Sequence, residues 1–272
     1  LITTISEDHE AYHGPDELSI AQEKAGIIKP RVPVVCGKIS ADVAQLLRAI
    51  AAARGAPASF LGVDFSFSLK NEGLFDYTGI KQIYSNLKLS LRGRHQRANA
   101  ALALAALELA GSQFPVGEDK LRDGLASVCW PGRLEVLCDR PMVLLDGAHN
   151  GEGVQALADE LSELPRGRRI KLLFAAMADK EWELMLRALA RVVDEVMLTR
   201  VEMERSAEPD QLAEKLAGAI PYRLNRDAKV GLRTLLDESR DDDIVVVAGS
   251  LYLLGEIRPM VQQFAHSRAS LT

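Results

Sequence analysis

Two histidines and a glutamate near the start of the chain, in HEAYH at residues 9–13, match the H-E-x-x-H pattern of zinc proteases. The pattern needs a helix, because only helical spacing places residues four apart on one face. The apolar LITTI before it is typical of a strand, and Gly14-Pro15 after it begins a new helix, PDELSIAQEKAG, which Gly26 closes. No third zinc ligand follows at metzincin spacing. We therefore expect a strand-to-helix connection here and not a zinc protease.

A second polar group follows a buried strand in VLLDGAHNGEG. Ligands collect at the carboxyl ends of parallel strands, because helix N-termini direct free N–H groups there. Asp146, His149 and Asn150 would lie at such an edge, and their spacing suits polar recognition or proton transfer. The alternative is a turn rich in glycine and asparagine with one solvated histidine. The glycines do not follow the G-x-G-x-x-G order of a dinucleotide fingerprint.

The last apolar strand, in VVVAGSLY, brings Gly249 and Ser250 to the same edge. Asp146, His149 and Ser250 would then suit the triad of a hydrolase. The G-x-S-x-G elbow that exposes a nucleophilic serine is missing, and Ser250 suits the N-cap of its helix equally well. A hydrolase therefore stays an alternative.

Other charged residues would suit phosphate chemistry. Asp8 and His9 follow the first predicted strand and could hold a hard cation such as Mg²⁺ beside phosphates. Arg133 in PGR carries a planar fork shaped to grip phosphate oxygens, although by default it is a linker arginine. Lys24 in EKAGI is by default a surface lysine.

The elements that must position these residues follow an α/β order. VPVVC and ASFLG predict buried strands around a helix capped by Ser40, which favours a parallel sheet. Residues 62–92 predict a small antiparallel annex, and two helices follow it. WPGRLEVLCDRP is typical of a linker. From Met142 onward, five strand-helix units with helices from residues 151, 179, 209, 227 and 250 predict a doubly wound domain.

The composition excludes several classes of protein. The 272 residues carry a net charge of −5 with scattered basic residues, so we expect neither a nucleic-acid partner nor a membrane surface. Three widely spaced cysteines give no disulfide framework, and a cytoplasmic location fits them best. No apolar run reaches the roughly 18 residues of a membrane span. The chain opens at Leu1 in an apparent strand, which indicates a fragment.

Six segments occur together in the order found in one family. They are DHEAYHGPDELSIAQEKAGIIKPRVPVV, RGRHQRANAALALAALELAG, WPGRLEV, LLDGAHNGEGVQAL, LLFAAMADKEWELML and VVVAGSLYLLGEI. The chain thus resembles bacterial folylpolyglutamate synthase/dihydrofolate synthase, a relative of the Mur peptide ligases. The resemblance implies an α/β fold in two parts. Residues 1–138 would be the remainder of a P-loop-type ATPase domain, and residues 139–272 a Rossmann-like, doubly wound glutamate-ligase domain.

The resemblance also implies an ATP-dependent ligase, a monomer that adds L-glutamate to folate or dihydropteroate. The substrate carboxylate would become an acyl phosphate, which the amine of glutamate attacks, while Mg²⁺ and an arginine disperse the phosphoryl charge. By resemblance, His9 binds Mg²⁺ and Lys24 is carbamylated into a carboxylate that supports the metal. Asn99, Arg133 and Asp146 would contact ATP, and Asp146, His149 and Ser250 would serve the glutamate side of the site.

The chain departs from the family pattern at three points. It has no G-x-x-x-x-G-K-S/T phosphate loop, whose amides and lysine cradle a triphosphate, so we expect no ATP turnover from this chain alone. Gly151 replaces the usual proline after DGAHN, and His13 stands where leucine is common. Two alternatives to the ligase stay open: a non-catalytic remnant that binds folate or nucleotide, and the Ser/His/Asp hydrolase.

Overall fold

The computed structural model describes residues 1–5, 17–165, 167–216 and 218–270. The chain divides into two units between Cys129 and Trp130. This division precedes the expected boundary between residues 138 and 139, because the strand Glu135–Asp139 pairs with the strand Met142–Leu145 of the second unit. The interpretation of WPGRLEVLCDRP, residues 130–141, as a linker was therefore wrong for this strand. Its short length and flanking turn residues concealed it.

The first unit begins with two strands and two helices in parallel α/β order. Strand β1 (Val34–Cys36) pairs in parallel with β2 (Ala58–Phe60), and helices α1 (Glu17–Lys24) and α2 (Ala41–Ala53) pack on them. The predicted cap is confirmed, since the Ser40 hydroxyl accepts a hydrogen bond from the N–H of Val43. A 3-10 turn at Ala25–Ile27 follows α1, so the helical winding continues through Gly26 and does not close there.

The opening LITTI does not form the predicted strand. Ile2 alone pairs in parallel with β1: its N–H donates to Val35 at 2.9 Å, and its carbonyl accepts from Gly37 at 2.8 Å. The HEAYH segment, with His9 and His13, lies outside the described residues.

The predicted antiparallel annex is confirmed. It comprises β3 (Ser66–Leu69), β4 (Leu74–Thr78) and β5 (Ile83–Lys88), paired in that order. Helices α3 (Arg94–Ala110) and α4 (Glu118–Ser127) follow. The annex and both helices share one core cluster, which explains why the Ala/Leu face of α3 is buried.

The second unit contains a six-stranded sheet with the order β10-β9-β8-β11-β7-β6. Strands β7 to β11 pair in parallel, and β6 is an antiparallel edge. Their bounds are β6 Glu135–Asp139, β7 Met142–Leu145, β8 Ile170–Phe174, β9 Glu195–Leu198, β10 Tyr222–Leu224 and β11 Ile244–Ala248.

Helices cover both faces of this sheet, as a doubly wound domain requires. Helices α5, α6 and α7 belong to the core cluster on one face, and α8 and α9 belong to the cluster on the other. The predicted alternation of strands and helices is confirmed, although α6 begins at 182 and not at 179. The helices are α5 Gly151–Ser162, α6 Trp182–Leu189, α7 Pro209–Leu216, α8 Ala228–Asp237 and α9 Leu251–Ala269. Among the residues described, no helix has the length and apolar character needed to cross a bilayer.

Candidate functional site

The carboxyl ends of β7 and β11 mark the place where the second unit can best bind a ligand. The two strands are neighbours, but the helix after β7 packs on one face and the helix after β11 packs on the other. Such a divergence opens a crevice at the strand ends. The N–H of Gly249 donates to the carbonyl of Ala148 at 3.0 Å, which joins the two segments that leave these strands. The predicted residues Asp146, His149 and Ser250 therefore share one edge.

Gly249 permits this close approach of the strand ends. Its φ is +101°, and a Cβ atom there would lie 2.3 Å from the carbonyl oxygen of Ala175, just after β8. Only glycine tolerates both the left-handed backbone and the contact. The ends of β7, β8 and β11 are thereby held together.

Asp146 is the buried acid of this edge, with 5% of its surface exposed. Its Oδ1 accepts from the N–H of Ala148 and its Oδ2 from the N–H of Leu134, both at 2.9 Å. Hydrogen bonds from backbone N–H groups stabilise a buried carboxylate. Asp146 therefore ties its own loop to the segment that leads into β6.

That segment begins with a tight turn at WPGR. The N–H of Arg133 donates to the carbonyl of Trp130 at 3.3 Å, which closes a four-residue turn. Pro131 occupies its second position, and Gly132, with φ +71°, occupies the third. Proline followed by a residue with positive φ is the signature of a type II turn. The sequence thus places Arg133 at the last position of a rigid turn.

The turn is docked on the loop after β7. The carbonyl of Gly132 accepts from the N–H of Gly147 at 2.7 Å. Leu134 is also left-handed, with φ +47°, a conformation that costs a residue with a side chain about 1–2 kcal/mol. Its hydrogen bond to Asp146 helps to hold this strained backbone.

Arg133 is a cation of this site whose guanidinium can bind a ligand. The residue is half-buried, and within the described part of the chain its side chain makes no hydrogen bond or ion pair. A guanidinium held on a fixed turn and left without an acid partner suits bidentate binding of a phosphate or carboxylate.

Glu135 and Arg258 are residues of this site that sequence reasoning missed. Glu135 accepts from the N–H of Gly132 at 2.9 Å, and Arg258 of α9 donates to the same carboxylate, with Nη2 2.7 Å from Oε1. The hydrogen bond from Arg258 holds the pKa of Glu135 below its usual range; burial opposes this effect and the N–H of Gly132 adds to it. The pair is separated by 123 positions, so no local pattern indicated it.

His149 and Ser250 do not complete a triad. Nδ1 of His149 lies 2.8 Å from the carbonyl oxygen of Gly147, and the hydroxyl of Ser250 accepts from the N–H of Tyr252 as the N-cap of α9. Among the described residues, no hydrogen bond joins His149 to Asp146 or to Ser250. The geometry therefore does not support the hydrolase alternative, and it confirms the predicted capping role of Ser250.

The first unit contains two further residues that the sequence analysis predicted for the site, Lys24 and Asn99. Lys24 ends α1, is half-buried, and donates from Nζ to the carbonyl of Thr4 at 3.0 Å. Because Ile2 pairs in parallel with β1, Thr4 lies beyond the carboxyl end of that strand. Asn99 is exposed on α3 and donates to Gln96 at 3.3 Å. No hydrogen bond joins Lys24 to Asn99.

The candidate Mg²⁺ ligand His9 lies outside the described residues. Within them, no group of three His, Cys, Asp or Glu side chains is arranged to hold a metal ion.

The second unit is thus a doubly wound α/β domain with a ligand crevice at its switch point and an arginine available for an anion. Residues 132–251 match the family model described as "Mur ligase, glutamate ligase domain". The chain is 32% identical over 266 residues to dihydrofolate synthase/folylpolyglutamate synthase of Bacillus subtilis, covering 95% of this chain and 61% of that protein.

Solved structures agree with this match. Escherichia coli FolC in complex with DHPP and ADP superposes with a TM-score of 0.87 at 28% identity, covering 96% of this chain and 60% of that one. The Yersinia pestis bifunctional folylpolyglutamate synthase/dihydrofolate synthase, complexed with AMPPNP and Mn ion, gives 0.85 at 28% identity, with the same coverage.

Residues 132–251 are therefore similar to the glutamate ligase domain of the Mur ligases. Over nearly its whole length the chain is similar to the folylpolyglutamate and dihydrofolate synthases, as the resemblance predicted, and the α/β fold is confirmed. The chain spans about three fifths of the length of these relatives.

Proposed function

We propose that the protein acts as an ATP-dependent ligase that adds L-glutamate to folate or to dihydropteroate through an acyl phosphate. The observation that carries the proposal is the half-buried Arg133, which lies on a turn held by Asp146 beside the crevice and has no acid partner within the described ranges. The complexes of relatives with DHPP, ADP and AMPPNP support the proposal, because their ligands supply phosphates and a folate-type group. Residues 1–138 would belong to the ATPase part and the remainder to the glutamate-ligase part.

Each residue of the crevice has a distinct task in this proposal. Arg133 binds phosphate oxygens and stabilises the charge that develops on the transferring phosphoryl group. Asp146 holds the turn, and its carboxylate fixes the distance between Arg133 and the loop after β7. If Nδ1 of His149 donates its hydrogen to Gly147, Nε2 is left as the acceptor that can take a proton from the attacking amine. A divalent cation bound with the nucleotide would disperse phosphoryl charge.

The fluorescence of one tryptophan can report nucleotide binding. The chain contains Trp130, which begins the Arg133 turn and is 63% exposed, and Trp182 on α6. In a Trp182→Phe background, titration with ADP should change the fluorescence of Trp130 in a saturable way. Arg133→Ala should weaken ADP binding about tenfold or more, because a charge-assisted hydrogen bond is lost.

Two controls define this test. Arg133→Lys keeps the charge without the fork and should give an intermediate affinity. Arg187→Ala removes an exposed arginine of α6 and should bind ADP like the parent. Equal ADP affinity for Arg133→Ala and the parent would contradict the proposal. Because the 272 residues hold no phosphate loop, release of ADP from ATP, dihydropteroate and glutamate separates a ligase from a non-catalytic remnant only when the chain is joined to a segment that carries such a loop.

We also propose that Lys24 is carbamylated. Carbon dioxide would add to its neutral amine with loss of a proton to solvent, and the carbamate nitrogen would keep one N–H for the bond to Thr4. With ¹³C-labelled bicarbonate, we expect a carbamate carbon resonance that Lys24→Ala removes. Lys29→Ala, which changes an exposed lysine nearby, should retain it. An unmodified Lys24 under these conditions would reject the carbamate.

A further inference from the structure

We propose that Glu135 and Arg258 are positioning residues that hold Arg133 ready for a phosphate. The inference rests on the proposed function of Arg133 and extends it to two side chains that need not touch the ligand. Glu135 is the first residue of the edge strand β6, and Arg258 lies in the third turn of α9, far along the chain. Both act on Arg133 through the turn that precedes it.

Two carboxylates fix the backbone on either side of Arg133. Glu135 accepts from the N–H of Gly132, and Asp146 accepts from the N–H of Leu134, each at 2.9 Å. Both of those flanking residues have left-handed backbones, at φ +71° and +47°. A turn of this shape is sparsely populated unless its surroundings hold it. The two acids therefore supply the restraint that the local sequence lacks.

Arg258 also prevents Glu135 from pairing with Arg133, which lies only two positions away in the sequence. Arg258 donates to Glu135 from Nη2 at 2.7 Å and from Nε at 3.1 Å, and the two side chains are 31% and 10% exposed. This pairing satisfies the carboxylate. Without it, Glu135 would attract the guanidinium of Arg133 and compete with phosphate for it. Arg258 thus keeps Arg133 available.

The position of Arg258 links the turn to the crevice. Helix α9 begins directly after Ser250, at the carboxyl end of β11. Its side chains Leu251 and Leu254 lie against the same loops, since a Cβ on Gly147 or on Gly132 would meet them at 2.5 and 2.6 Å. The helix therefore packs on the turn and holds it through the Arg258–Glu135 pair.

The test is a set of double-mutant cycles in the Trp182→Phe background, with ADP as the probe and Trp130 as the reporter. Glu135→Gln and Arg258→Gln should each weaken ADP binding about three- to tenfold. In the Arg133→Ala background neither substitution should change the affinity further, because both act through the residue already removed. Arg258→Lys should bind ADP more tightly than Arg258→Gln, since a lysine keeps a positive charge beside the carboxylate of Glu135.

A purely structural role would give another pattern. Affinity losses that add fully to that of Arg133→Ala, or parental affinity in both Gln variants, would overturn the inference while leaving the proposed function intact. A parent chain that does not bind ADP, or an Arg133→Ala variant that binds it equally well, would overturn both. Amide hydrogen exchange supplies an independent reading: Glu135→Gln should accelerate exchange at Gly132, and unchanged exchange there would reject the restraint on the turn.

Discussion

In the six-stranded sheet of the second unit, the amino ends of the parallel strands form one edge, the amino edge, and their carboxyl ends form the other, the carboxyl edge. These two edges bury charge in opposite ways. At the amino edge, Lys171 is 1% exposed, with Nζ 3.4 Å from Asp243 and 3.9 Å from Glu195, and it donates to the carbonyl of Glu238 at 2.8 Å. At the carboxyl edge, the buried Asp146 accepts from two backbone N–H groups. The nearby Arg133 has no acid partner among the described residues.

This contrast separates a structural charge from a functional one. At the amino edge each buried charge faces an opposite charge, so the network is satisfied and offers nothing to a ligand. At the carboxyl edge, backbone donors stabilise the acid, and a cation on a strained turn is left available. A buried charge alone does not indicate a ligand-binding site. A cation without an acid partner next to such a charge does indicate one.

The largest expected effect comes from the amino edge. Lys171→Ala should lower the free energy of unfolding by about 3–5 kcal/mol, because it leaves Asp243 buried without its cation. Urea titration measures the change. In conditions where the variant stays folded, its ADP affinity should match that of the parent.

A paired substitution sharpens this prediction. Lys171→Met with Asp243→Asn removes both charges while an amide oxygen can still accept from the N–H of Arg240. Replacing a whole buried pair is often close to neutral, so most of the lost stability should return. If the double variant is as unstable as Lys171→Ala, the network is not what stabilises this edge.

At the carboxyl edge, one substitution should affect both stability and binding. Asp146→Asn replaces one acceptor oxygen with an NH₂ group that faces a backbone N–H, either that of Leu134 or that of Ala148. A buried donor left unsatisfied costs about 1–3 kcal/mol, so unfolding should become easier by that amount. ADP affinity should fall as well, because the Arg133 turn is released. Loss of stability with unchanged ADP affinity would break the distinction between the two edges.

The sequence predicted most of what makes this edge. The apolar runs and their spacing indicated the strand-helix order, and the rule for parallel sheets then placed Asp146, His149 and Ser250 together. The strand-helix order depends on neighbours in sequence, which is why pattern reasoning reached it. The turn at Arg133 was not predicted, because its Pro-Gly pair was interpreted only as part of a linker.

Long-range pairing is what the sequence could not show. Strand β6 is defined by its hydrogen bonds to β7, and its partner Arg258 lies 123 positions from Glu135. Lys171 stands in the apolar RIKLLFA, where nothing local reveals that Asp243 reaches it. The single bridge at Ile2 is the converse case: LITTI has strand composition, but only one residue pairs with β1.

The smallest expected effect is the response of the two edges to acid. The pKa of Glu135 is lowered by Arg258, and the pKa of Glu238, at the amino edge, is lowered by Arg223. Since both folded pKa values lie below the ordinary value of 4.5, the stability from each pair is fully present above that pH. It is lost as the pH falls through the folded pKa.

The two acids should contribute differently to the loss of stability in acid. The side chain of Glu238 is 49% exposed and that of Glu135 is 10% exposed, so solvent screens the ion pair of Glu238 more strongly. Glu135→Gln should therefore flatten the loss of unfolding free energy below pH 4.5 more than Glu238→Gln does. Urea titrations between neutral pH and pH 3 measure both slopes. A steeper contribution from Glu238 would mean that the amino edge holds the more strongly coupled acid, and that the carboxyl edge owes its order to Asp146 and the turn alone.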